Sequence, residues 1–171
     1  NKAKYCHIDA HGDQDEALTE VFDLMRSLNE RAVASTAIGC DSTGSWSFRE
    51  SLAQFASDVA ATMAGSPFVY VELGPEPVKT SFLINRLRAH GARIRQYIGV
   101  DINPASADPM REALSELLDP ARVTCCIKDF AELAPADVHV GDSPSLITML
   151  GFQEGNEHPG TLAQRLQRIT Q

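Results

Sequence analysis

Two hydrophobic periods divide the chain. From Asp15 to Val33 the apolar residues Leu18, Val21, Phe22, Met25 and Leu28 fall at three- and four-residue steps, which predicts one helix. Residues 37–46, AIGCDSTGSW, are turn formers and predict a loop. Ser47 and Glu50 make a capping box that opens a second helix, SFRESLAQFASDVAATMAG, with Phe48, Leu52, Phe55 and Val59 as its stripe. Then the spacing changes. PFVYVEL, residues 67–73, is a compact apolar run closed by Gly74, which predicts a buried strand. After the loop PEPV, Lys79 to His90 predicts a helix stopped by Gly91. RQYIGVD (95–101) predicts a second strand, Met110 to Leu118 a short helix ended by Pro120, and RVTCCIKDF (122–130) a third strand. SLITMLG (145–151) predicts a fourth strand, and the chain is helical from Thr161 after the loop FQEGNEHPG.

Strands alternating with helices at these lengths imply parallel βαβ units, and right-handed crossovers then put helices on both faces of one sheet. The fold class is α/β: a doubly wound parallel sheet of at least four strands, preceded by two helices. Residues 1–66 read as an N-terminal helical segment and 67–171 as the sheet domain.

Composition narrows the function classes. The chain has 171 residues, 43% hydrophobic and 22% charged, which is ordinary for a globular domain. Its net charge of −8 argues against nucleic acid and against anionic lipid as partners, since both need clustered cations. No apolar run is long enough to span a bilayer, and no signal-peptide pattern opens the chain. Cys6, Cys40, Cys125 and Cys126 show no CxxC spacing, and the adjacent pair in a strand points to opposite faces, so a reduced cytoplasmic setting is expected. Cys6, His7, Asp9, His11 and Asp13 are ligand-type residues, but Gly12 breaks the helix that would align the histidines. That stretch reads as a frayed terminus, and no metal is expected. His139 and His158 read as surface residues, and Trp46 as an anchor for the loop before the second helix.

Ligands of open α/β sheets bind outside the carboxyl ends of the strands. Those ends carry Glu72-Leu73-Gly74, Asp101, Asp129-Phe130 and Gly151. Gly74 lets backbone approach a ligand closely. Asp101 can accept hydrogen bonds from two ribose hydroxyls, and Asp129 with Phe130 can bind an adenine amino group and cover the ring. Each residue alone has a plainer reading. Asp101 can be a helix cap, Phe130 core, Lys79 a solvated surface lysine, and Gly155-Asn156 a turn. Their order at successive strand ends is what points to a ligand. The loop GPEPVKT lacks the repeated glycines that surround a diphosphate, which argues against NAD and nucleotide triphosphates.

The segments ELGPEPVKTSFLINRL, YIGVDINPAS, KDF and LITMLGFQEGNEHP resemble the histidine-specific methyltransferase family of the ergothioneine-pathway type. The resemblance runs from about Pro67 to Pro159. It implies a Rossmann-like, class I fold and S-adenosylmethionine (SAM) as cofactor. It implies that Glu72 belongs to the cofactor site, that Gly74 and Lys79 contact the methionine portion, Asp101 the ribose, and Asp129 and Phe130 the adenine. Gly155 and Asn156 would serve an amino-acid-like substrate beside the methyl. Two departures stand out. Pro75-Glu76-Pro77 replaces the family's glycine and small residues. The family also continues for a further half, which completes the sheet and the substrate pocket. The expected activity is N-methylation of an amino acid or a derivative. The alternative is a non-catalytic Rossmann-like domain that binds a ligand or a protein. An uncovered fourth strand at a sheet edge is expected to self-associate or to pair with a second chain.

Overall fold

The computed structural model describes residues 16–41, 43–150 and 159–170, with backbone alone at 16–19. Its centre is a four-stranded, all-parallel sheet of β1 (Phe68–Leu73), β2 (Ile94–Asp101), β3 (Val123–Ile127) and β4 (Ser145–Thr148), in the order β3-β2-β1-β4. The chain steps outward from β1 through β2 to β3, then returns to lay β4 on the other side of β1. The direction of winding therefore reverses between β1 and β4, and in open α/β sheets the carboxyl ends at such a reversal are where ligands bind.

Every residue of β1 is buried, because both faces of the sheet are covered. Phe68 and Tyr70 face one apolar layer, shared with α2 (Phe48–Met63), α3 (Pro77–Ala89) and α4 (Ala107–Leu114). Val69, Val71 and Leu73 face the other, shared with α5 (Pro135–Val138) and α6 (Pro159–Thr170). Burying one Leu, Val or Phe side chain is worth about 1.5–3 kcal/mol, so this double layer is the main source of stability. The Tyr70 and Tyr97 rings meet edge to face at 5.5 Å within the first layer. Cys125 and Cys126 lie in opposite layers, as the strand period requires.

The N-terminal helices behave differently from one another. The capping box of α2 is complete: Ser47 Oγ accepts from Glu50 N at 3.2 Å, and Glu50 Oε2 accepts from Ser47 N at 2.8 Å. Ala56 and Val59 of α2 belong to the same core as β1 and β2. The stripe of α1 (Glu16–Ala34) is not core: Val21, Phe22, Met25 and Leu28 are all exposed. Trp46, expected as a loop anchor, is 58% exposed.

Several boundaries differ from the sequence reading, each for a local reason. Helix α3 begins at Pro77 rather than Lys79, because Glu76 caps it and proline suits the first helical position. Helix α4 is Ala107–Leu114 rather than 110–118. Asn103 Oδ1 accepts from Ala105 N at 3.0 Å, which starts a 3-10 turn at Pro104–Ser106 that runs into the helix early. Strand β3 stops at Ile127, and Asp129 starts a 3-10 turn instead of extending the strand. Strand β4 ends at Thr148. His139, expected at the surface, is half-buried: Nε2 donates to Ile169 O at 3.0 Å and Nδ1 lies 3.1 Å from Ser145 Oγ, so the ring joins α6 to β4.

Candidate functional site at the carboxyl rim of the sheet

The strand register aligns the rim. Leu73 lies beside Val100, Val100 beside Cys126, and Asp101 beside Ile127. Gly74, Asp101 and the Asp129-Phe130 turn therefore leave three adjacent strands at one edge. Gly74 turns the chain away at φ +69°, a left-handed conformation that favours glycine, while its N–H donates to Val100 O at 2.9 Å. Lys128 N donates to Asp101 O at 2.9 Å, which draws the start of the third turn against the second strand.

Asp101 is half-buried, and Oδ1 accepts from Asn103 N at 2.9 Å. Burial pushes its carboxyl above the ordinary aspartate value, against the pull of the Asn103 N–H and the Ser106 hydroxyl. Asp129 Oδ1 accepts from Ala131 N at 2.9 Å. Phe130 is half-buried against the second layer, with the Arg165 guanidinium 5.7 Å from its ring centroid.

Lys79 is not a solvated lysine. It is 6% exposed, and Nζ donates to Leu150 O at 3.0 Å, just past the end of β4. An ammonium has three donors, so one such bond leaves capacity for an anion.

Glu72 sits one step inside the rim and is wholly buried beneath α3. Oε2 accepts from Thr80 Oγ1 at 2.7 Å and from Tyr97 Oη at 3.2 Å, while Oε1 has no hydrogen-bond partner among the described residues. Burial pushes its carboxyl up to about 7, although the Thr80 and Tyr97 hydroxyls favour the charged form.

The loop GPEPVKT proves to be a capped helix entrance. Glu76 Oε1 accepts from Val78 N at 3.2 Å and Oε2 from Lys79 N at 3.0 Å. The first N–H groups of α3, of the kind that often meet a ligand anion, already hold an internal carboxylate. Pro75 rests on β2: a Cβ built on Gly99 would lie 3.2 Å from Pro75 Cγ and 3.0 Å from Tyr97 Oη. Glu76, Thr80, Tyr97 and Gly99 are site-supporting residues that the sequence reading passed over. Only Glu76 carried a signal, as an acid directly before a proline at a helix start.

Gly151, Gly155, Asn156 and His158 lie outside the described residues, as does the Cys6–Asp13 cluster. Among the described residues no group of three or more His, Cys, Asp or Glu could hold a metal. No helix among them is long and apolar enough to cross a membrane.

This donor set fits an adenosyl group. Ribose hydroxyls and an adenine amino group are donors, and the rim offers the carboxylates of Asp101 and Asp129 as acceptors, an aromatic ring at Phe130 and one ammonium at Lys79. A phosphate would instead meet those carboxylates.

Comparison with known proteins agrees. The profile of a family described as histidine-specific methyltransferase, SAM-dependent, matches residues 49–171, well over half of the chain. No curated protein matches. One solved structure that the chain resembles is an uncharacterised ACR superfamily protein from Burkholderia thailandensis, at 19% identity and a TM-score of 0.37. That match covers 68% of this chain and 34% of the other, so the chain spans about a third of that protein's length. On the family match, the chain belongs to the histidine-specific, SAM-dependent methyltransferase family.

Proposed function

We propose that the chain binds SAM along the carboxyl rim and takes part in methyl transfer to an amino nitrogen of an amino acid or a derivative. The observation that carries this reading is the alignment of Gly74, Asp101 and Asp129-Phe130 at the ends of three adjacent strands. When bound, the cofactor supplies an electrophilic methyl on a sulfonium. The chain's own contribution is to bind and orient, and alignment accounts for most of the acceleration in a displacement of this kind. Asp101 accepts from the two ribose hydroxyls. Asp129 accepts from the adenine amino group through the oxygen that Ala131 N does not use, and Phe130 covers the ring. Gly74 admits the methionine portion, and Lys79 reaches its carboxylate from its seat on Leu150 O. Glu72 acts from below, holding Thr80 and Tyr97 under the loop, rather than by touching the cofactor. Gly155 and Asn156 serve the amino-acid substrate, since an amide both donates and accepts. A substrate ammonium has no lone pair and must lose a proton before it accepts the methyl.

One observation favours a second reading, a non-catalytic Rossmann-like domain for a ligand or partner protein. Glu76 already occupies the N–H groups of α3 that would face the methionine carboxylate. Titration calorimetry with S-adenosylhomocysteine separates the two. Micromolar binding that is lost on Asp101→Ala supports the cofactor site, and absence of heat at millimolar ligand supports the second reading.

Two further assignments accompany the function. The free thiols at Cys40, Cys125 and Cys126 suit a reduced, cytoplasmic setting. Among the described residues no strand lies beyond β4, and that side suits pairing with another strand, from a second copy or a partner.

A further inference from the structure

We propose that Arg168, acting from α6, positions the adenine-reading turn and so sets the selectivity of the rim for its base. The inference rests on the reading that Asp129 and Phe130 hold adenine. These residues lie beyond the end of β3, which is the outer strand on that side among the described residues, so no further strand steadies the turn there. The turn's own bonds are short-range. Asp129 Oδ1 takes the Ala131 N–H, Asp129 O takes the Glu132 N–H at 2.8 Å, and Phe130 O takes the Leu133 N–H at 3.3 Å.

Arg168 ties this turn to a distant element. Its Nη2 donates to Ala131 O at 2.7 Å and approaches Leu133 O at 3.5 Å. One turn earlier on α6, the Arg165 guanidinium lies over the Phe130 ring. A charged, planar donor shared by two carbonyls holds them more tightly than a neutral one. An amino group on the ligand must meet the remaining oxygen of Asp129 within a few tenths of an ångström. The packing of Phe130 and Leu133 and the Lys128 N–Asp101 O bond hold the turn against the sheet, and the Arg168 tie on Ala131 O fixes it at the finer scale that the hydrogen bond to the ligand needs. Arg168 touches no part of the ligand in this account; it is a positioning residue.

Helix α6 is seated without it. Ile169 is 2% exposed in the same apolar cluster as Leu133 and Val138, and His139 Nε2 donates to Ile169 O. Removing Arg168 therefore leaves α6 docked and takes away the charged tie between α6 and the turn.

The test compares S-adenosylhomocysteine with S-inosylhomocysteine, in which a carbonyl replaces the amino donor, by calorimetry on the whole chain. The wild-type protein prefers the adenosyl ligand. Arg168→Gln lowers adenosyl affinity roughly 3- to 10-fold, the effect of one hydrogen bond, and leaves inosyl affinity unchanged, so the preference shrinks. Arg168→Lys, which keeps charge but loses the fork, falls between. An Arg168→Gln protein with the wild-type preference overturns this inference alone, as does equal loss of both ligands. A wild-type protein that binds neither, or both alike, overturns the adenine reading beneath it.

Discussion

Glu72 shows what a single residue costs and does. A buried carboxyl resists ionising, and burial here raises its pKa from 4.5 to about 7 although the Lys79 charge and two hydroxyls pull the other way. An acid whose folded value is raised binds its proton more tightly in the folded state. Its contribution is complete below about 4.5 and is lost as pH rises through about 7. That shift corresponds to on the order of 3 kcal/mol across the window. Thermal midpoints measured from pH 4.5 to 8 should therefore fall with pH more steeply in the wild type than in Glu72→Gln. The two proteins showing parallel slopes would remove Glu72 from the account. Gly99 is the second instance. Tyr97 Oη is bonded to Glu72 and Pro75 is rigid, so neither neighbour gives way cheaply to a new methyl group. Gly99→Ala should destabilise by about 1–3 kcal/mol by chemical denaturation, and an unchanged midpoint would mean that Pro75 moves freely. Neither role was legible beforehand. Glu72 was legible as an acid at a strand end, but its partners Thr80 and Tyr97 come from a helix and a neighbouring strand. Only the crossover brings them together.

At the scale of elements, local chemistry decides where each helix and strand begins. Ser47 with Glu50, and Gly91 after α3, were legible because capping acts over three or four residues. Asp129 was legible as an acid at a strand end but not as the start of a turn, since its side chain competes with the ladder for the backbone. The stripe of α1 was legible as a helix and misleading as core, because periodicity reports a face and not what covers it. Helix α3 carries the prediction at this scale. Glu76 caps two N–H groups, so Glu76→Ala should cost about 1 kcal/mol of stability, the usual worth of a cap. It should also strengthen S-adenosylhomocysteine binding, because those N–H groups and the positive end of the helix become free for the ligand carboxylate. Stability and affinity then move in opposite directions. If calorimetry shows affinity falling together with stability, Glu76 serves the cofactor instead of occupying its place.

For the whole molecule, the alternation of strand and helix made the doubly wound sheet legible, because each βαβ unit has one handedness and few ways to pack. The strand order follows from this only in part; that β4 lies beside β1 is a long-range fact no local spacing encodes. Its consequence concerns the edge. Val69 N donates to Pro144 O at 2.9 Å, so the carbonyl of Pro144 faces β1. Backbone groups of successive strand residues point to opposite edges, which turns Leu146 and Thr148 toward β1 and leaves the amides of Ser145 and Ile147 facing outward. An edge with half-buried apolar side chains and, among the described residues, no strand beyond it is a template for another strand. Hydrogen exchange at several protein concentrations reads this directly. If β4 recruits a second copy, the Ser145 and Ile147 amides become protected as concentration rises, while Leu146 and Thr148 stay protected throughout. The mass by light scattering should rise over the same range. Outward amides that exchange equally fast at every concentration, with the mass held at that of one chain, would mean that this edge stays solvated and that the molecule meets its partners elsewhere.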